Sequence, residues 1–169
     1  MLRASDFIDL DTANIGRERR RIRHLIASLP REPAATRRRL AKEFIGIVQD
    51  RDQSIGRRGN AACLLACSPE QLGIAGSQKF LAALLDTIEA EFLRWPDLGL
   101  TCGPLAANNP ALVRGFLHLL VLSVFGVSRE AGRDVAAKLA RETRDPEVLA
   151  RLRRVQAAPA VPPDEPFAP

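Results

Sequence analysis

A chain of 169 residues and 18.5 kDa can bury one sizeable core and is short for a multidomain protein. Hydrophobic residues at 46% and charged residues at 27% are ordinary for a globular chain, which argues against a disordered, fibrous or membrane-embedded protein. The formal net charge of +5 is uneven: +6 over residues 1–60, −2 over 61–128 and +1 over 129–169, so the basic excess lies in the first third and is almost entirely arginine.

Leu and Ala dominate, Tyr is absent and β-branched residues rarely alternate with polar ones, which predicts helices and no sheet. About six or seven helices are expected in chain order. The first runs from about Thr12 to Leu29, with Ile15, Ile22, Leu25, Ile26 and Leu29 on one stripe and arginines around the rest. Leu29-Pro30 ends it, because a residue before proline is pushed out of the helical region. Pro33 opens a second helix whose apolar face is Leu40, Phe44, Ile47 and Val48. The pattern loses phase at Gln53-Ser54-Ile55-Gly56 and resumes in a short helix from Arg57 to Cys67. Ser68 and Pro69 then start a further turn of helix, capped by Ser68 and broken by Gly73 and Gly76. Ser77 caps the next helix, which buries Phe80, Leu81, Leu84, Leu85, Ile88 and Phe92 and closes near Trp95-Pro96.

Residues 96–110 are rich in Pro, Gly and Asn and read as the longest loop. Pro110 opens a helix to about Gly126 that is hydrophobic on nearly all sides and therefore belongs at the centre. Ser128 caps the following helix, and Asp145-Pro146 caps the last. The fold expected is all-α, an irregular helical bundle or short α-solenoid. Its single domain covers residues 1–156, and a flexible proline-rich tail covers 157–169.

The segment Arg133–Pro146 (RDVAAKLARETRDP) resembles a HEAT or armadillo-type helical repeat, in which a helix carrying Ala-Ala-x-Leu ends at an Asp-Pro-Glu turn. Arg57–Glu70 is similar, with Ala61, Ala62 and Leu64 in the places of Ala136, Ala137 and Leu139. The resemblance covers two short patches, lacks a clean repeat period, and is departed from by the all-apolar helix 111–126. It implies a small α-solenoid whose concave face binds a partner, and no catalysis.

No constellation of residues reads as a reaction centre, so enzymatic activity, a cofactor and a bound metal are not expected. Cys63 and Cys67, four apart on an apolar helix, read as buried thiols acting as small hydrophobes, although a redox pair or half of a soft-metal site remains open. An odd count of three cysteines argues against a disulfide framework. His118 lies inside the apolar helix with no acidic neighbour at helical spacing, as a core histidine with a satisfied ring nitrogen would, and His24 reads as solvated. Asp86, Glu89 and Glu91 are expected on the polar face of their helix.

The arginines carry the functional expectation. Arg17, Arg19, Arg20, Arg21 and Arg23 surround the first helix, and Arg37, Arg38 and Arg39 begin the second. Guanidinium forks pair with carboxylates and phosphates alike. The leading expectation is a non-enzymatic adaptor or regulator that docks another, acidic protein on this surface, with the Trp95–Asn109 loop as a second surface. The alternative is a sequence-nonspecific nucleic-acid-binding subunit gripping phosphates, although no aromatic residue interleaves with the arginines to stack on bases. The N-terminal MLRASDFIDLDTAN lacks the apolar stretch of a leader, and the run 111–127 is interrupted by Arg114 and His118. A cytoplasmic location without membrane contact is therefore expected.

Overall fold

Caps and prolines place most of the helix ends. In the computed structural model, which describes residues 2–9, 15–94 and 110–157, α1 spans Ser5–Ile8, α2 Ile15–Ser28, α3 Ala34–Gln49 and α4 Ile55–Cys67. The chain continues through α5 at Pro69–Leu72, α6 at Gln78–Arg94, α7 at Pro110–Val127, α8 at Arg129–Glu142 and α9 at Pro146–Ala157. There is no strand among the described residues, and the fold is all-α. No helix among them is long and apolar enough to cross a membrane. The expected loop over residues 96–109, Cys102 within it, and the tail from 158 onward lie outside the described residues.

Among the described residues, three N-termini are seen closed by side chains. Ser128 Oγ accepts from the Ala131 N–H, and Asp145 Oδ1 accepts from the N–H groups of Glu147 and Val148, as the sequence leads one to expect. Ser54 Oγ accepts from the Arg57 N–H, so α4 begins at Ile55, two residues before the expected start. Ser68 does not cap α5. Its N–H still closes α4 on Leu64 O, its backbone is held at φ −134° and ψ 35°, and its buried hydroxyl has no partner. One residue ending a helix and starting the next lacks the extended conformation that a serine cap needs. Gly73 and Gly76 both take φ +70°, the left-handed turn that ends α5 and re-aims the chain into α6. Pro30 does not stop the chain outright; a 3₁₀ turn, Leu29–Arg31, carries α2 over to α3.

The short α1 is absent from the sequence reading because four residues are too few to show a period. Its Phe7 and Ile8 are buried, and Phe7 meets Phe44 of α3 edge-on at 5.7 Å.

The apolar helix α7 is central, as its composition requires. It packs against α4, α6, α8 and α9, burying Phe116, Leu117, Leu120, Val121, Val124 and Phe125. On α4, Ala61, Ala62 and Ala66 keep the surface small, and Ser123 Oγ of α7 lies 2.8 Å from Ala62 O. Arg114, which interrupts the apolar run in sequence, leaves the core sideways: its Nε donates to Asp145 Oδ2 at 2.8 Å and ties α7 to the start of α9. The buried apolar residues from Ala4 to Val155 form one continuous cluster.

Candidate functional site

The eight arginines of the first two long helices divide into two sets. Arg21 donates to the backbone oxygens of Asp6 and Asp9 and pairs with Glu18 at 2.7 Å. Arg39 donates to Leu2 O and pairs with Glu43, whose other oxygen accepts the Ala4 N–H. Arg37 donates to Gln71 O in α5. These three guanidiniums satisfy carbonyls that short helices and the N-terminal segment leave open, so their role is to hold the fold. The remaining five differ. Arg17, Arg20 and Arg23 are exposed along α2, Arg38 is exposed on α3 and Arg19 is half-buried, and none of the five has an ion-pair partner among the described residues. Arg17, Arg20 and Arg23 follow one another at three-residue spacing, which makes one positive strip along about two turns of helix.

A second feature opens between α6 and α8, which both pack on α7 and leave a groove of about 460 Å³. Its floor is Leu85, Ile88 and Phe92 from α6 with Val135 and Leu139 from α8. Ile88, Phe92 and Leu139 are buried, while Leu85 and Val135 are half-buried. The rim carries Glu89 from α6 and Asp134, Lys138 and Glu142 from α8, all exposed and none in an ion pair among the described residues.

No protein-family model, curated protein or solved structure matches this chain.

One acidic side chain lies where the sequence does not lead one to expect it, and its partner is an arginine that no motif singled out. Glu91 is not on the polar face of α6. It is 4% exposed, and its Oε1 accepts from Arg58 Nη2 at 2.7 Å, with Arg51 Nε at 3.5 Å. Arg58, also 4% exposed, donates to Val48 O at 2.8 Å, and its guanidinium lies over the Phe116 ring, 4.6 Å from the centroid. The second carboxylate oxygen, Oε2, is buried without a hydrogen-bond partner. A signal for both was present: Arg58 precedes Ala61, Ala62 and Leu65 by three, four and seven residues, and Glu91 follows Leu84 and Ile88 by seven and three. Each therefore lies on its helix's apolar stripe. Asp86 and Glu89 are exposed as expected.

The remaining candidates stand apart from both features. His118 is half-buried on α7, and its Nδ1 has no hydrogen-bond partner, in contrast to the satisfied core histidine expected. Burial first, then the positive charge of Arg151 and Arg154 on α9, lowers its pKa to about 4. Cys63 is buried and Cys67 half-buried, with sulfurs 4.0 Å apart. Cys63's hydrogen bond to Cys67 and its burial push the Cys63 thiol up, and the same bond draws the Cys67 thiol down. Among the described residues, no group of three or more His, Cys, Asp or Glu side chains stands together as a metal-ligand set.

Proposed function

We propose that the protein is a non-enzymatic interaction module, an adaptor or regulator that docks an acidic protein surface on the exposed side of α2. One observation carries this reading. After Arg21, Arg37 and Arg39 are taken up by internal carbonyls and carboxylates, Arg17, Arg20 and Arg23 remain exposed on one strip with no ion-pair partner among the described residues. Exposed cations with no local partner favour long-range attraction of an oppositely charged surface over stability of the fold. The likeness of Arg57–Glu70 and Arg133–Pro146 to HEAT or armadillo repeats supports the same class of role, since such helical arrays present surfaces to partners.

The test is fluorescence anisotropy of the full chain against labelled acidic peptides and labelled single- and double-stranded DNA and RNA, titrated from low to physiological salt. Saturable binding of the acidic peptide, lost in Arg20→Glu/Arg23→Glu, is the expected result. Tight nucleic-acid binding with a steep salt slope, abolished by the same double variant, transfers the strip to phosphate binding. Absence of binding to every probe at low salt overturns both readings.

A further inference from the structure

We propose that the groove between α6 and α8 is a docking site for a helix of a partner protein, one that presents an apolar ridge flanked by lysine or arginine. This inference does not depend on the role given to α2. Three observations carry it.

The first is shape. On α6 the lining residues fall at 85, 88, 89 and 92, and on α8 at 134, 135, 138, 139 and 142. Each set follows one helical face for about two turns, so the slot is roughly 10 Å long. A slot of that length between two helices accepts side chains projecting from one face of a third helix at i, i+3 or i+4, and i+7.

The second is the floor. Leu85 and Val135 are apolar and only half-buried, at a place where α6 and α8 both rest on α7 and the described residues leave a groove between them. An inserted apolar ridge would finish the desolvation that the fold leaves partial.

The third is charge. Glu89 stands on one wall and Asp134 and Glu142 on the other, against the single ammonium of Lys138, and no ion pair among the described residues neutralises any of them. In a chain of net charge +5, an apolar slot bordered by three carboxylates without an ion pair among the described residues runs against the sign of the molecule. Such a rim attracts a helix with basic flanks and repels one with acidic flanks, which gives partner choice as well as affinity. A second copy of this chain is a poor occupant. The apolar stripe of its basic helix α2 packs on its own core, with Ile22 buried and Leu25 and Ile26 partly so, and among the described residues the exposed large apolar side chain is Leu112 alone, too little for a ridge.

The experiment uses the full chain and two fluorescein-labelled helical peptides of sixteen residues. Both carry leucines at i, i+4, i+7 and i+11; lysines flank the leucines in one, and glutamates replace them in the other. The lysine peptide is expected to bind saturably and at least about tenfold more tightly than the glutamate peptide at low salt. Glu89→Lys/Asp134→Lys/Glu142→Lys should reverse that order, and Val135→Arg should abolish binding of both, with circular dichroism confirming that each variant is folded. Arg20→Glu/Arg23→Glu should leave lysine-peptide affinity unchanged, which separates this groove from the α2 strip. Equal affinity for the two peptides, unchanged affinity in the rim variant, or no saturable binding overturns the proposal. Concentration-dependent self-association that the rim variant abolishes reassigns the groove to a second copy and overturns it too.

Discussion

His118 shows how one ring in the wrong surroundings links stability to pH. With its folded pKa near 4 and an unfolded value of 6.5, the unfolded chain takes up a proton over a range where the folded chain refuses it. Stability is therefore fully present above about pH 6.5, falls as the pH drops towards 4, and gains no further loss from this residue below that. The full effect amounts to about 3 kcal/mol. Urea unfolding of the protein and of His118→Leu at steps from pH 7.5 to 4 checks it. The stability difference between the two should shift against the parent chain across that window, and a flat difference would mean that the ring accepts its proton in the fold. The same scale explains a limit of the sequence. That His118 sits in an apolar helix is visible from its neighbours, but Arg151 and Arg154, which help exclude the proton, are more than thirty residues away.

Between helices, close approach depends on single glycines. A Cβ placed on Gly132 of α8 would lie 2.4 Å from Phe125 Cα on α7, so the two helices meet there backbone to backbone. A Cβ on Gly46 of α3 would touch nothing within 4 Å. The same substitution should then have opposite signs at the two sites. Gly132→Ala should destabilise by about 2 kcal/mol or more, because the clash exceeds the gain in helix propensity. Gly46→Ala should stabilise by about 0.5–1 kcal/mol through propensity and a less flexible unfolded chain. Paired thermal or urea unfolding curves decide, and equal shifts at both positions would sink the close-approach account. In the sequence, both glycines simply sit inside helical patterns, and nothing local distinguishes them. Helix ends are another matter: the caps at Ser128 and Asp145 are legible because a cap and the N–H it satisfies lie two or three residues apart. Ser68 fails the same rule because it also ends α4.

Across the whole molecule, Arg58 and Glu91 form the buried polar joint. Arg58 belongs to α4, donates to the α3 carbonyl of Val48, pairs with Glu91 of α6 and lies on Phe116 of α7, so four helices meet at one guanidinium. Removing one partner leaves the other charged and out of water. Arg58→Leu or Glu91→Leu alone should cost about 3–5 kcal/mol, softened for Arg58→Leu by Arg51, which still reaches Glu91. Arg58→Leu/Glu91→Leu should recover most of that loss, since well-packed apolar side chains often replace a buried ion pair without penalty. A double-mutant cycle in urea measures the coupling, and additive losses would show that the pair does not act as a unit.

The all-α class, the order of the long helices, most of their ends and the central place of α7 can all be read from the chain of residues alone. Those features rest on period, caps, prolines and mean hydropathy, all set by residues within a turn or two of one another. Which arginines stay exposed, which carboxylate goes inside and where a groove lies follow instead from how the helices pack. Arg21 meets Asp6, Arg37 meets Gln71 and Arg58 meets Glu91 across 15, 34 and 33 residues of chain, and the groove exists because α6 and α8 share α7 without covering each other. A side chain's fate depends on its spatial neighbours, and those are chosen by packing, not by the residues beside it in the chain.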